Sequence, residues 1–211
     1  VPGEIFDRGC RACPRLSGFL DEVKSRNPDY YCRPVPPFGD AAARLLVVGL
    51  APGMHGANRS GRPFTGDHAG ILLYETLHRF GFSSAAESLS ADDGLELLDC
   101  RITNAVKCLP PDNKPIGAEI NTCNRFLANE LDTLAPGSVV LALGGIAHRA
   151  VVKARGLRQA DHKFAHAADH ELGDIRMLDS YHCSRYNTNT GRLTPTMFDA
   201  VFERVRALLD S

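Results

Sequence analysis

The sequence predicts an α/β domain of three layers, in which a central, mostly parallel sheet of four strands is flanked by helices. Three observations carry that reading. Short apolar or β-branched runs recur along the chain, stretches with helical spacing of apolar residues lie between them, and long polar loops rich in Gly and Pro follow the runs. Strands alternating with helices favour a parallel sheet covered on both faces.

The first run, 44–49, contains Leu45-Leu46-Val47-Val48, continuous enough to be buried on both faces. The helix expected over 69–80 places Leu72, Leu73, Leu77 and Phe80 near one face. A second strand is expected at 100–104, and after it a helix over 118–134 carries Ile120, Phe126, Leu127, Leu131 and Leu134. The third and fourth strands fall at 138–144 and 175–181. A helix over 196–209, with Phe198, Val201, Phe202, Val205 and Leu209 on one side, closes the chain. No internal repeat, low-complexity tract or linker interrupts this pattern, so residues 1–211 are read as a single domain.

Composition narrows the class. The chain has 211 residues, a size for one ordinary domain, and its 44% apolar and 23% charged content excludes disordered, collagen-like and coiled-coil classes. Its longest apolar runs fall far short of the ~20 residues that span a bilayer. The first residues offer acidic side chains and cysteines where a secretory signal needs a basic and then an apolar region. An intracellular, cytoplasmic protein is therefore expected, which argues against a disulfide framework. A formal net charge of −1 neither demands nor excludes nucleic acid.

In a parallel sheet the ligand binds at the carboxyl ends of the strands. The loops expected there are 50–67, 105–115 and 182–192, each long and polar. Loops of this length without structure of their own are uncommon unless functional. They contain Asp67, His182, Asn104 at a strand end, Asn113, His55, Phe64 and the basic residues Arg59, Arg62, Lys114, Arg185 and Arg192.

Cys10 and Cys13 are separated by two residues, Cys108 and Cys123 by fourteen. Four thiolates converging on one centre suit either zinc or an iron–sulfur cluster, and spacing does not separate the two. Cys32, Cys100 and Cys183 read as small buried apolar residues. His162, His166 and His170 recur every four residues, but their segment lacks apolar periodicity. They are read as exposed histidines near a nucleic-acid face, not as zinc ligands.

The loops resemble a known family. Gly49-Leu50-Ala51-Pro52-Gly53, the string His55-Gly56-Ala57-Asn58-Arg59-Ser60-Gly61-Arg62-Pro63-Phe64-Thr65-Gly66-Asp67, Pro110-Pro111-Asp112-Asn113-Lys114-Pro115, and Ser180-Tyr181-His182 with Asn187-Thr188-Asn189-Thr190-Gly191-Arg192-Leu193-Thr194 resemble the motifs of family 5 uracil-DNA glycosylases almost from end to end. The resemblance implies the fold of that family, a DNA partner containing uracil, a monomer, and excision of uracil and other deaminated bases such as hypoxanthine or xanthine. It also implies a structural [4Fe–4S] cluster on Cys10, Cys13, Cys108 and Cys123. Leu50 stands where the related family 4 has an acidic residue. Asn104, however, follows the family 4 pattern where family 5 carries a small apolar residue, and it bears on the lesion range.

Breaking the bond from C1′ to a flipped base asks for negative charge near the sugar, donors near the departing base and a placed water. On the resemblance, Asp67 orients water and stabilises the cationic sugar, although Asp also suits the N-cap of a helix starting near His68. His182 is placed to donate to O2 of the leaving base, and Phe64 to stack on it. The Asn104 amide can donate to O4 and accept from N3–H of uracil, an order that cytosine reverses. Gly53, His55 and Asn113 are expected to position base or water. Arg59, Arg62, Lys114, Arg185 and Arg192 are expected at phosphates, and Arg185-Tyr186-Asn187 as a wedge filling the vacated stack. No Lys in these motifs is placed as a Schiff-base nucleophile, which predicts a monofunctional enzyme. An iron–sulfur redox module and a non-catalytic binder of uracil or abasic DNA are the competing readings.

Overall fold

A computed structural model describes residues 3–211. Its strands are β1 (Phe38–Gly39), β2 (Leu45–Gly49), β3 (Cys100–Asn104), β4 (Val139–Leu143), β5 (Asp169–Glu171) and β6 (Arg176–Ser180), and they form one sheet in the order β1-β3-β2-β4-β6-β5. The inner four are parallel to one another. They are the four strands expected from the sequence. The sheet is nevertheless six-stranded, because β1 and β5 add antiparallel edges. Elements of two and three residues are too short to leave a periodic signature.

The helices are α1 (Pro14–Arg26), the short α2 (Ala57–Ser60), α3 (His68–Arg79), α4 (Gly117–Leu131), α5 (Gly145–Ala154), the short α6 (Arg185–Asn189) and α7 (Pro195–Leu209). Helices α3, α4 and α7 stand where periodicity places them, shifted by a residue or a few at their ends. Helix α7 starts sharply, with Pro195 in its first turn and the Thr194 hydroxyl accepting from the Met197 N–H. Sequence periodicity missed α5, whose buried face uses Ala147, Ala150 and Val151 in place of large side chains. It also passed over α1, which buries Leu16, Leu20 and Val23.

Strand β2 shows how the layers are held. Leu45 and Val47 join Leu73, Leu77, Phe198 and Phe202 on one face, and Leu46 and Val48 join Leu127, Leu131 and Val151 on the other. Successive strand residues point to opposite faces, so a strand with helices on both sides has no polar positions to spare. Each such side chain contributes about 1.5–3 kcal/mol by leaving water. Among the described residues, no helix is long and apolar enough to cross a membrane.

The three histidines of segment 162–170 are not exposed, and His162 and His166 lie outside any helix or strand. His170 stands on β5 and its Nε2 bonds Asp179 Oδ2 at 3.0 Å. Asp179 also bonds His148 Nδ1 at 2.8 Å, and the His162 carbonyl accepts from His148 Nε2 at 2.8 Å. The four-residue repeat is thus a folded-back strand edge, where spacing along the chain says nothing about a shared helical face.

Candidate active site

The carboxyl ends of β2, β3, β4 and β6 lie on one edge of the sheet, and the chain leaves β2 for β3 on one side before crossing to β4 on the other. That reversal opens a crevice. In it lies a cavity of about 460 Å³ lined by Gly53, Phe64, Asp67, Asn104, Asn113 and His182, with Arg185 at its wall. One cavity therefore gathers these sequence-predicted residues from three loops.

Phe64 sits in the left-handed region at φ 56, a conformation that surrounding contacts must impose. Tyr74 Oη donates to the Pro63 carbonyl at 2.9 Å on one side. On the other, the Arg62 guanidinium donates to Thr65 Oγ1 at 2.9 Å, Ser88 Oγ at 2.7 Å and Asp93 Oδ2 at 2.6 Å. Burial would raise the Asp93 carboxyl, but Arg62 and the backbone N–H groups of Leu95, Leu89 and Ser90 hold it well below the ordinary carboxylate range. The ring reaches over Gly49, where a Cβ would stand 2.6 Å from Phe64 Cζ. Only glycine at the end of β2 leaves room for it. Phe64 and His182 face one another with centroids 6.0 Å apart and planes 28° apart.

Asp67 occupies the N-cap position of α3, yet its side chain makes no capping bond. It turns back toward the loop after β2, where Oδ2 accepts from the Ala57 N–H at 3.2 Å. A carboxylate that forgoes its cap is available for other work. Burial pushes its pKa up from the ordinary value, while the Ala57 N–H and His55 act in the opposite direction.

Asn104 ends β3, is buried, and its Oδ1 has no hydrogen-bond partner. An orphaned buried acceptor is costly unless a ligand satisfies it. Asn113 closes a short 3-10 turn, Pro111–Asn113, at φ 55. The His182 imidazole is pushed down to about 4 by burial, so it is neutral at physiological pH. Its carbonyl accepts from Asn187 Nδ2 at 2.8 Å.

Two expectations fail and two are narrowed. Arg62 is not a phosphate contact: it is 5% exposed and fully engaged by Asp93, Ser88 and Thr65, with its guanidinium 4.7 Å from the centroid of the Phe38 ring. The second failure is His55, which is exposed and paired with Tyr30 Oη at 2.9 Å instead of lining the cavity. Asn187 spends its amide on the His182 carbonyl and so is engaged within the protein, unlike the wedge side chain the sequence suggested. Arg192 lies over Tyr181 at 4.6 Å while remaining exposed. Arg59, Lys114, Arg185 and Tyr186 are exposed, Tyr186 at 72%. Sequence reasoning missed His68, which lines the cavity and bonds Thr188 Oγ1 at 3.2 Å. Its place directly after Asp67 was the available signal.

Cys10 and Cys13 before α1, Cys108 after β3 and Cys123 on α4 line a single small cavity. None of the four is in a disulfide. Burial pushes Cys108 up to about 12, and burial also raises Cys13 and Cys123, with the neighbouring cysteines adding to each shift. With Cys13, Cys108 and Cys123 held back from ionising, a cation would be needed for them to become thiolates together. The donor set fits a metal centre. Cys32, Cys100 and Cys183 are buried elsewhere, as small apolar residues.

The family model described as "Uracil DNA glycosylase superfamily" matches residues 36–206. The chain is 48% identical over 205 residues to the Type-5 uracil-DNA glycosylase of Thermus thermophilus, which covers 94% of this chain and 93% of that protein. It is 44% identical over 202 residues to the Type-5 uracil-DNA glycosylase of Pyrobaculum aerophilum, covering 94% and 88%. Against the Type-4 uracil-DNA glycosylase of the same organism, identity is 35% over 143 residues, covering 67% and 60%.

Proposed function

The chain belongs to the uracil DNA glycosylase superfamily, and from that premise we propose that it draws uracil out of DNA into the cavity of about 460 Å³ and hydrolyses the bond from C1′ to N1. It is a DNA-repair glycosylase, a hydrolase of N-glycosyl bonds. The observation that carries the residue assignments is the convergence of Phe64, Asp67, Asn104 and His182 on that one cavity.

Phe64 stacks on the flipped base. The free Oδ1 of Asn104 accepts from N3–H while its amide donates to O4, and cytosine offers the reverse order. That order discriminates against cytosine, whereas hypoxanthine and xanthine present the same C=O beside N–H and are not excluded by the amide. As the C1′–N1 bond breaks, its electron pair leaves with the base. His182, neutral because its environment is dry, donates a hydrogen bond to O2 where charge develops. The Asp67 carboxylate stabilises the cationic sugar and receives a proton from the water that adds to C1′, leaving an abasic site. Asn113 orients that water. Arg59, Lys114, Arg185 and Arg192 meet the phosphates, and Arg185 with Tyr186 fills the gap in the stack.

Cys10, Cys13, Cys108 and Cys123 hold a [4Fe–4S] cluster in this reading. The four cysteines line one small cavity, and the motif resemblance favours the cluster where the donor set alone suits zinc equally. The cluster supplies a staple between the segment before α1 and the loop after β3.

The test is excision from oligonucleotides carrying uracil, hypoxanthine or xanthine, read by alkaline strand cleavage, with the parent and with Asp67→Ala, His182→Ala and Asn104→Ala. The parent cleaves uracil strands, and the first two variants lose kcat. Asn104→Ala loses uracil excision. Uracil excision untouched in Asn104→Ala removes the edge-reading role, and full rate in Asp67→Ala removes the catalytic one.

A further inference from the structure

The proposed reaction leaves the folded-back segment 162–170 without a role, although it bonds Tyr181, the residue before His182. Resting on the reading of His182 as donor to the departing base, we propose that His166 is a positioning residue for His182: it holds the Tyr181 backbone amide and so sets the direction in which the next residue leaves the sheet.

Strand β6 ends at Ser180, whose carbonyl accepts from the Gly144 N–H at 2.8 Å. Beyond it the Tyr181 N–H donates to His166 Nδ1 at 3.2 Å, so a side chain supplies the acceptor that a neighbouring strand would. The two rings lie face to face, with centroids 4.9 Å apart and planes 16° apart. Tyr181 is thereby fixed at its amide and at its ring. His182 follows directly, and a rotated Tyr181 amide would swing the imidazole out of line with Phe64.

The seat of His166 is built with care for that bond. Ala167 N–H donates to the Asp179 carbonyl at 2.9 Å and Asp179 N–H to the Ala168 carbonyl at 2.9 Å. Between them Ala167 takes a left-handed φ of 62, which turns the chain at His166. Asp179 and His148 anchor both ends of the segment, through His170 Nε2 and the His162 carbonyl. Carboxylate and carbonyl are both acceptors, so His148 donates from both ring nitrogens as an imidazolium. Burial would lower its pKa, but Asp179 outweighs that and raises it. His166 is the opposite case. An amide donor at Nδ1 requires the lone pair there, and burial holds this ring below its ordinary value.

A steady-state double-mutant cycle on a uracil-containing oligonucleotide tests the proposal, using His166→Ala, His182→Ala and the double variant, with His166→Asn as the conservative replacement. Asn Oδ1 can accept from the Tyr181 amide where Ala cannot. His166→Ala is expected to lower kcat ~10-fold or more with KM within ~3-fold, His166→Asn to recover most of the loss, and His166→Ala to cost under ~2-fold once His182 is gone. Full kcat in His182→Ala overturns the reading beneath the proposal. Loss in His182→Ala with none in His166→Ala overturns the proposal alone. So does a loss in KM only, or an undiminished cost of His166→Ala in the double variant. Should His166→Ala fail to fold, His166→Asn against His166→Gln carries the contrast, because Gln places its amide beyond the Nδ1 position; equal kcat in the two overturns the proposal.

Discussion

The Asp67 carboxylate fills the space that a side chain at Gly56 would need: a Cβ built there would overlap the carboxyl group itself. The motif loop after β2 is thus a mould for the Asp67 side chain. Gly56→Ala must displace Asp67 or the loop, and a displacement of about 1 Å at a reacting group costs on the order of 100-fold. Single-turnover excision of uracil by Gly56→Ala should fall by that order. Unchanged turnover would show that Asp67 acts from some other position.

Asp67→Asn separates function from stability. Because burial raises the Asp67 pKa in the folded state, ionising it opposes folding: its favourable contribution is whole below the unfolded value and is lost as pH rises through the folded one. Thermal melting of Asp67→Asn should therefore match or exceed the parent at neutral pH while excision collapses, and the difference should close in acid. Equal losses of stability and activity at neutral pH would contradict this account.

His182 obeys the opposite sign. Its folded pKa of about 4 lies below the ordinary histidine value, so its contribution to stability is present above the ordinary value and falls away as pH drops toward 4. NMR titration should find the ring neutral between pH 5 and 8, and the pH–rate profile should show no His182 inflection there. An imidazolium at pH 6 would replace hydrogen-bond donation with full charge stabilisation.

The basic residues divide by burial. Removing Arg62 takes the cation from a partly exposed Asp93, which keeps its backbone donors, and leaves the buried Thr65 and Ser88 hydroxyls short of a partner, at a cost of about 1–3 kcal/mol. Arg62→Ala should melt below the parent without altering the salt dependence of DNA binding per phosphate contacted. Arg59→Ala, Lys114→Ala and Arg192→Ala should melt near the parent and each flatten the plot of log K against log salt by about 0.9. A flattened slope in a folded Arg62→Ala would restore it to the interface.

The cysteines predict a coupled loss. Purified without oxygen, the protein should show the broad visible absorption of an iron–sulfur cluster and contain iron in place of zinc. Cys108→Ser or Cys123→Ser should bleach that absorption and lower the melting temperature together, since a cluster there would tie α4 and the loop after β3 to the segment before α1. Stoichiometric zinc in a colourless protein would reverse the assignment.

The sequence alone determined the parallel core, because a strand buried on both faces must be apolar at every position, as Leu45 to Val48 are. It also determined which loops meet, because parallel strands send all their carboxyl ends to one edge. Asp67, Phe64, Asn104 and His182 were legible on those grounds together with the motif resemblance. Tertiary structure alone decided which polar side chains face a ligand and which face the protein. Arg62 and Arg59 stand in one loop with one chemistry, yet Asp93, some thirty residues away, takes the first and leaves the second in water. His162, His166 and His170 mimicked a helical repeat, and only the pairing of β5 with β6 turned that repeat into a clasp on Tyr181. Charge and spacing are local properties of a chain, whereas burial and partnership depend on segments that folding alone brings together.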